Sequence, residues 1–138
     1  MTNQELVNIT CEHLIKQNRK CVVTTIKERN LVIKNRGYAN IITCLYRKEQ
    51  KNGQTLTCAA GYHIPKEEYS PSIEGLCIDS IDYFVNNFTD NQLDLLGDLQ
   101  YIHDDMEPTE WPKELSSVCK KFGLDVPNCV REQLSVST

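Results

Sequence analysis

The side chains best suited to chemistry are a few cations, aromatic rings and histidines spread along the chain. Arg19 and Arg47 follow a predicted helix and a predicted strand, and a guanidinium group donates two parallel charge-assisted bonds to a phosphate. Tyrosine and histidine rings can stack on a base. The sequence therefore predicts a ligand-binding set of Arg19, Arg47, Tyr62, His63, Tyr101 and His103. Alternatively, the two arginines only cap a helix and decorate a hairpin in solvent.

A second group lies near the end of a predicted helix and comprises His103, Asp104, Asp105 and Glu107. Carboxylates and imidazole bind divalent metals and lower the pKa of the bound water. Acidic residues on an amphipathic helix usually face solvent, and this interpretation is favoured. We therefore predict no metal, no cofactor and no catalytic residue, with a metal-assisted nucleotide hydrolase using His103, Asp104 and Glu107 as an alternative.

Cys58 and His63 are close enough in sequence to be considered as a nucleophile and its base. No third group that would orient the histidine is evident, so a buried cysteine and a surface histidine are favoured. The other cysteines are scattered, without a C-x-x-C pair, and the total of seven is odd. This pattern is typical of reduced thiols in a cytoplasmic protein.

The composition indicates one globular domain over residues 1–138, with 40% hydrophobic residues and a net charge of −4. An acidic chain lacks the basic face that DNA or RNA polymers require, so no nucleic-acid polymer is predicted as a partner. The start, MTNQELVNIT, lacks a signal-peptide pattern, and no apolar run is long enough to span a bilayer. We expect a cytoplasmic protein that does not contact a membrane.

The pattern of elements predicts an α+β fold, a small antiparallel sheet with about three α-helices. Thr2 and Glu5 form a capping-box signature for a helix ending near Gln17, and Thr89 and Thr109 are predicted to cap two later helices. Strands are predicted at 21–26, 31–34, 41–46 and 55–60, the last two joined by the hairpin signal Asn52-Gly53. A short helical turn is predicted around 78–86, and residues 127–138 are predicted to be a loosely held tail.

Several motifs follow one another in a distinctive order: CLYR at 44–47, CAAG at 58–61, I-P-x-x-x-Y at 64–69, EG at 74–75, LQYIHD at 99–104 and EWP at 110–112. Together they resemble a group of small uncharacterised proteins encoded by bacteriophages and prophages. The resemblance covers most of residues 47–126, and the segment 21–42 is longer than is usual in that group. The resemblance implies a phage context, in which small proteins often block host defence by sequestering nucleotide signals.

From these observations we predict a non-enzymatic phage-type protein that binds and sequesters a small nucleotide-derived host immune signal, working as a homo-oligomer in the host cytoplasm. The loop 61–75 would form the rim of the pocket, where Gly61 lets backbone approach the ligand and Pro65 stiffens the rim. The alternative outside the small-molecule class is an inhibitor of a host defence protein that presents an acidic face to a basic groove.

Overall fold

The computed structural model describes residues 1–38 and 43–136 and is mainly helical. Its elements are α1 (Asn3–Gln17), α2 (Ile26–Arg36), β1 (Arg47–Glu49), β2 (Thr55–Thr57), α3 (Asp82–Asn87), α4 (Asp90–Asp105), α5 (Trp111–Lys121) and α6 (Asn128–Val136). Five single-turn 3₁₀ helices lie in the connections. The predicted α+β fold with about three helices is therefore wrong, because six α-helices accompany a single two-stranded hairpin in the described ranges.

The main error concerns the predicted strands at 21–26 and 31–34. The β-branched residues there favoured strands, yet Ile26–Arg36 form helix α2. Thr25 and Glu28 make a complete capping box, and Gly37, with φ of 98°, ends the helix. Of the predicted strand at 21–26, only an isolated bridge between Val22 and Cys44 has β pairing.

The predicted hairpin turn at Asn52-Gly53 is confirmed, but the strand that precedes it does not lie at the predicted residues. Strand β1 pairs with β2 in antiparallel register, with Arg47 opposite Thr57 and Glu49 opposite Thr55. Gly53 in the turn has φ of 86°, a conformation that glycine adopts without strain. The predicted strand at 41–46 begins with Ile41 and Ile42, which lie outside the described residues; the paired residues start only at Arg47.

Helices α1 and α4 begin where their capping residues predict. Thr2 and Glu5 form a reciprocal capping box on α1, and Thr89 forms one with Gln92 on α4. Thr109 does not cap α5, since it lies within a 3₁₀ turn and α5 begins at Trp111. The turn predicted around 78–86 is a 3₁₀ turn followed by α3.

The main core lies between α1, α4, α5 and α6, and it is built around Trp111, Phe84 and a set of leucines that are fully buried. Where a loose tail was predicted after Val126, α6 packs on α1 and α5 and buries Val130 completely. No helix in the two described ranges is both long enough and apolar enough to cross a membrane.

A second, smaller core joins α2 to the hairpin and to the segment that follows α1. It consists of four buried residues, Cys21, Val32, Leu45 and Leu56. We call residues 16–51, which supply the first three of these residues, the small lobe. The rest of the molecule is the helical body.

Candidate functional site

A cleft of about 600 Å³ lies between α4, the segment 43–46 and the segment 75–79. This volume is in the range of small-molecule sites. Its lining residues are Arg36, Thr43, Cys44, Leu45, Tyr46, Cys58, Gly75, Leu76, Cys77, Ile78, Asp79, Leu93, Asp94, Gly97, Gln100, Tyr101, Asp104 and Asp105. Helix α4 thus forms one long wall, and the small lobe and the segment 75–79 together form the rest of the lining.

The lining of the cleft carries more negative than positive charge. Four carboxylates, from Asp79, Asp94, Asp104 and Asp105, face a single guanidinium group, that of Arg36. Among the described residues, Asp79, Asp94 and Asp105 have no ion-pair partner. A concave surface with one sign of charge concentrates its field inside the cleft.

Arg36 has its own local partners. Its guanidinium carbon lies 4.0 Å from the centre of the Tyr38 ring, a cation–π contact. Its Nε is buried and has no hydrogen-bond partner among the described residues. The Nε–H group of Arg36 is therefore a buried donor without a partner among the described residues.

The side chain of Asp104 is held in place at the deep end of the cleft. Its Oδ1 accepts from Gln100 Nε2 at 2.7 Å and lies 2.8 Å from His103 Nδ1. His103 is fully buried, and its Nε2 accepts from the backbone N–H of Cys21 at 3.0 Å. Since Nε2 is the acceptor, the proton of the neutral ring lies on Nδ1 and is donated to Asp104.

Cys44 lies beside this pair, and its Sγ, a ring nitrogen of His103 and an oxygen of Asp104 are all within 4.8 Å of one another. Burial raises the pKa of the Cys44 thiol, and the neighbouring Asp104 carboxylate raises it further. The thiol is therefore protonated at neutral pH and is a poor nucleophile.

These three residues do not fit a resident metal ion as they are arranged. A metal on His103 Nδ1 would move the ring proton to Nε2, where it would point at the N–H of Cys21. The remaining ligands, one thiol and one carboxylate, fall short of the three protein ligands of ordinary zinc sites. Glu107, named in the hydrolase alternative, does not line the cleft and lies 3.8 Å from Lys20 Nζ.

The motifs that carry the phage resemblance have clear structural tasks. Gly61 packs against the Tyr46 backbone so closely that a Cβ atom at position 61 would lie 2.0 Å from the Tyr46 oxygen. The glycine is thus needed for contact between two parts of the chain, and its role beside a ligand stays a prediction. It also lies in a 3₁₀ turn without positive φ.

Glu74 joins the loop 61–75 to the hairpin. The carboxylate is 1% exposed and accepts from the backbone N–H groups of Tyr46 at 2.7 Å and Arg47 at 3.2 Å. It also accepts from the hydroxyl of Tyr69 at 2.7 Å. Burial raises the pKa of Glu74, and the three donors partly offset that effect.

The predicted ligand-binding residues are spread over several surfaces. Tyr101, which is 56% exposed, lines the cleft, and buried His103 lies behind its wall. Arg47 of the hairpin pairs with Glu49 at 3.0 Å. Arg19 follows α1 and lies 3.5 Å from the side chain of Gln50. Neither arginine lines the cleft.

Tyr62 and His63 lie together but at a different place. The Tyr62 ring stacks on His13 with a centroid distance of 4.0 Å, and His63 Nε2 lies 2.7 Å from Thr10 Oγ1. Burial lowers the pKa of both His13 and His63 to about 4. Both histidines are therefore neutral at pH 7. Cys58, considered as a nucleophile with His63, instead accepts from the N–H of Gly61.

Sequence reasoning missed Cys44, Asp79 and Gln100 as cleft residues. The spacing of Asp94, Tyr101 and Asp105 predicts that they share one face of α4, and all three line the cleft. Cys44 and Asp79 come from segments that meet α4 only through the tertiary fold. No local signal marked them.

Comparison of the chain with protein-family models, with curated proteins and with solved structures found no match.

Proposed function

We propose that this protein is a non-enzymatic binding protein whose acidic cleft takes a ligand carrying an amine or guanidinium group. The observation that supports this proposal is the charge of the cleft, four carboxylates against one guanidinium group. A cation that enters gains attraction from Asp79, Asp94 and Asp105, which have no competing partner among the described residues. Each such contact in a partly exposed setting contributes up to about 1 kcal/mol.

The shape of the cleft suits recognition of one end of such a ligand. Asp104 is fixed by Gln100 and His103, so its free oxygen has a defined position before the ligand arrives. A preorganised acceptor loses little entropy on binding. Tyr101 offers an exposed ring at the same wall, where a cation can lie over the face of the aromatic system.

Binding without a reaction is favoured by the state of the reactive groups. The Cys44 thiol has a raised pKa, and both ring nitrogens of His103 already have partners. A nucleophile without an available base is not activated. The cleft thus offers attraction and shape, and its cysteine and histidine are not arranged as a nucleophile and a base.

The earlier hypothesis of a sequestered nucleotide signal stays a prediction, as does the phage context. The charge of this cleft disfavours it, since each phosphate would bring roughly one to two negative charges. The predicted phosphate ligands Arg19 and Arg47 lie outside the lining. The alternative of an acidic face that engages a basic host protein has the same chemistry as our proposal, with the cation supplied by lysine or arginine side chains.

The test is a thermal-shift and calorimetric screen of the purified protein with spermidine, agmatine, an arginine-rich peptide, mononucleotides and cyclic dinucleotides. A true ligand at a hundredfold excess over its Kd should stabilise the fold by about 3 kcal/mol. Stronger stabilisation by the small amines indicates a metabolite, and stronger stabilisation by the peptide indicates a protein partner. Stabilisation by nucleotides alone would contradict the proposal and support the earlier hypothesis.

A pair of variants locates the site. The double variant Asp94→Asn, Asp105→Asn should weaken binding of the amine about tenfold, since two partly exposed ion pairs are lost. The matched control Asp125→Asn, Glu132→Gln removes the same charge from exposed positions outside the cleft. Equal weakening in both variants would show a general charge effect and would count against the cleft.

A further inference from the structure

The small lobe and the helical body carry opposite charge. Residues 16–51 contain ten lysines and arginines but only two acidic residues, whereas the rest of the chain has five basic and seventeen acidic residues. The overall charge of −4 is therefore the difference between a strongly basic lobe and a strongly acidic body. The net charge of −4 is the sum over both parts, so it does not exclude a nucleic-acid partner for the basic lobe.

Most of the positive charge of the small lobe is not neutralised. Its two acidic residues are already paired, Glu28 with Lys48 and Glu49 with Arg47. Lys20 lies near Glu107 of the body. The cations of the lobe that have no ion-pair partner in the described part of the chain are Lys16, Arg19, Lys27, Arg29, Lys34, Arg36 and Lys51.

Helix α2 presents an unusual outer face. Val32 is its only fully buried residue, and it faces the small core. At about 100° per residue, Ile26, Asn30 and Ile33 lie in a line that is roughly 100–160° around the helix from Val32. Ile26 is 78% exposed and Ile33 is 37% exposed, so this line faces outwards.

Cations flank that line on both sides. The same helical geometry places Lys27 and Lys34 on one flank and Arg29 on the other, while Arg36 lies nearer to Val32 and lines the cleft. Lys27, Arg29 and Lys34 are exposed. The outer face of α2 is thus a narrow stripe of two isoleucines and one asparagine with two lysines on one side and an arginine on the other.

We propose that the outer face of α2 is a docking surface for duplex nucleic acid, with the helix in the major groove. The groove is about 12 Å wide and admits an α-helix, and the phosphates form its two walls. Cations on both flanks match phosphates on both walls, while an asparagine and aliphatic side chains between them match base edges and thymine methyl groups. The helix, at 11 residues, spans about 16 Å, which is long enough for several base pairs.

The charge and shape of α2 favour this occupant over a lipid surface. Only two large apolar side chains of the helix are exposed, which is little area for insertion into a bilayer. Those charges of the acidic body that lie more than about 10 Å from α2 are largely screened at 0.1 M salt and therefore cancel little of the attraction.

The test is fluorescence anisotropy of a labelled 20-base-pair DNA duplex titrated with the full chain between 50 and 200 mM salt. If the three exposed flanking cations each displace a counterion, the logarithm of the binding constant falls against the logarithm of salt with a slope of about −2.7. The variant Lys27→Gln, Lys34→Gln should reduce that slope by about 2 and weaken binding at every salt concentration. The variant Asn30→Ala should reduce only the preference between sequences.

The matched control is Lys113→Gln, Lys120→Gln, which removes two exposed cations from α5. It should bind the duplex within about twofold of the parent. The proposal is overturned if the parent does not bind the duplex at 50 mM salt, or if the control loses as much affinity as the α2 variant. Binding to vesicles with anionic lipids, without binding to the duplex, would also overturn it.

Discussion

Glu74→Gln gives the sharpest test of how the loop 61–75 is held. The carboxylate accepts three hydrogen bonds, from the N–H groups of Tyr46 and Arg47 and from the hydroxyl of Tyr69. Glutamine has nearly the same shape but only one oxygen. Whichever way its amide turns, its NH₂ group faces at least one of the backbone donors.

The magnitude follows from these contacts. A buried donor left without a partner costs about 1–3 kcal/mol, and a bond to a charged acceptor contributes about 1.5–3 kcal/mol. The buried charge is itself unfavourable, which is why burial raises the pKa of Glu74, and its removal recovers part of the loss. We therefore expect the free energy of unfolding to fall by about 2–4 kcal/mol, a large share of the roughly 5–15 kcal/mol of an ordinary domain.

Urea unfolding followed by Trp111 fluorescence measures this change, since Trp111 is fully buried. The control is Glu67→Gln, an exposed neighbour that should stay within about 0.5 kcal/mol of the parent. Tyr69→Phe removes only one of the three donors and should cost about 1 kcal/mol. A Glu74→Gln variant as stable as its control would refute the reasoning that the loop is held by this carboxylate.

Three further predictions concern glycines, a histidine and the last helix. Gly61→Ala should abolish folding or lower the melting temperature strongly, because the new Cβ would lie 2.0 Å from the backbone oxygen of Tyr46. Gly97→Ala should instead raise the free energy of unfolding by up to about 1 kcal/mol, because there is open space around Gly97 in α4. Similar melting temperatures for the two variants would contradict this reasoning. The pKa of His63 is about 4 in the folded state and near 6.5 in the unfolded state. Between these two pH values the unfolded chain binds a proton at His63 that the folded chain does not bind. The free energy of unfolding should therefore fall as the pH drops from 6.5 to 4. His63→Gln should flatten that decline in urea titrations, and an unchanged slope would show that the ring is solvated. Removal of residues 128–138 should lower the unfolding midpoint by exposing the site that Val130 fills, and an unaltered midpoint would mean that α6 does not contribute to the core.

The elements that the sequence predicts well are those with a complete local signal. The capping boxes at Thr2 and Thr89 mark the starts of α1 and α4 correctly because cap and helix are neighbours in the chain. Thr25 and Glu28 carry the same signal for α2, but the β-branched residues around them led to a prediction of strands there. With only Val32 fully buried, α2 also lacks the apolar period that usually reveals a helix.

The cleft could not be predicted in the same way. Asp94 and Asp105 are separated from Asp79 and Cys44 along the chain, and they line one cleft only because the fold brings the segments 43–46 and 75–79 to α4. His103 was predicted to bind a ligand because a histidine side chain is chemically suited to ligand binding. Its partner, the N–H of Cys21, is a backbone group 82 residues away that no pattern of side chains reveals.

The distribution of thiols gives the protein a built-in attachment point. Of the seven cysteines, Cys77 alone is exposed, while Cys44 and Cys129 are half-covered and the others are buried. A maleimide dye should therefore react first at Cys77 in the native protein, without any engineered substitution. Because Cys77 is also on the wall of the cleft, a dye there would report directly on whether the cleft is occupied.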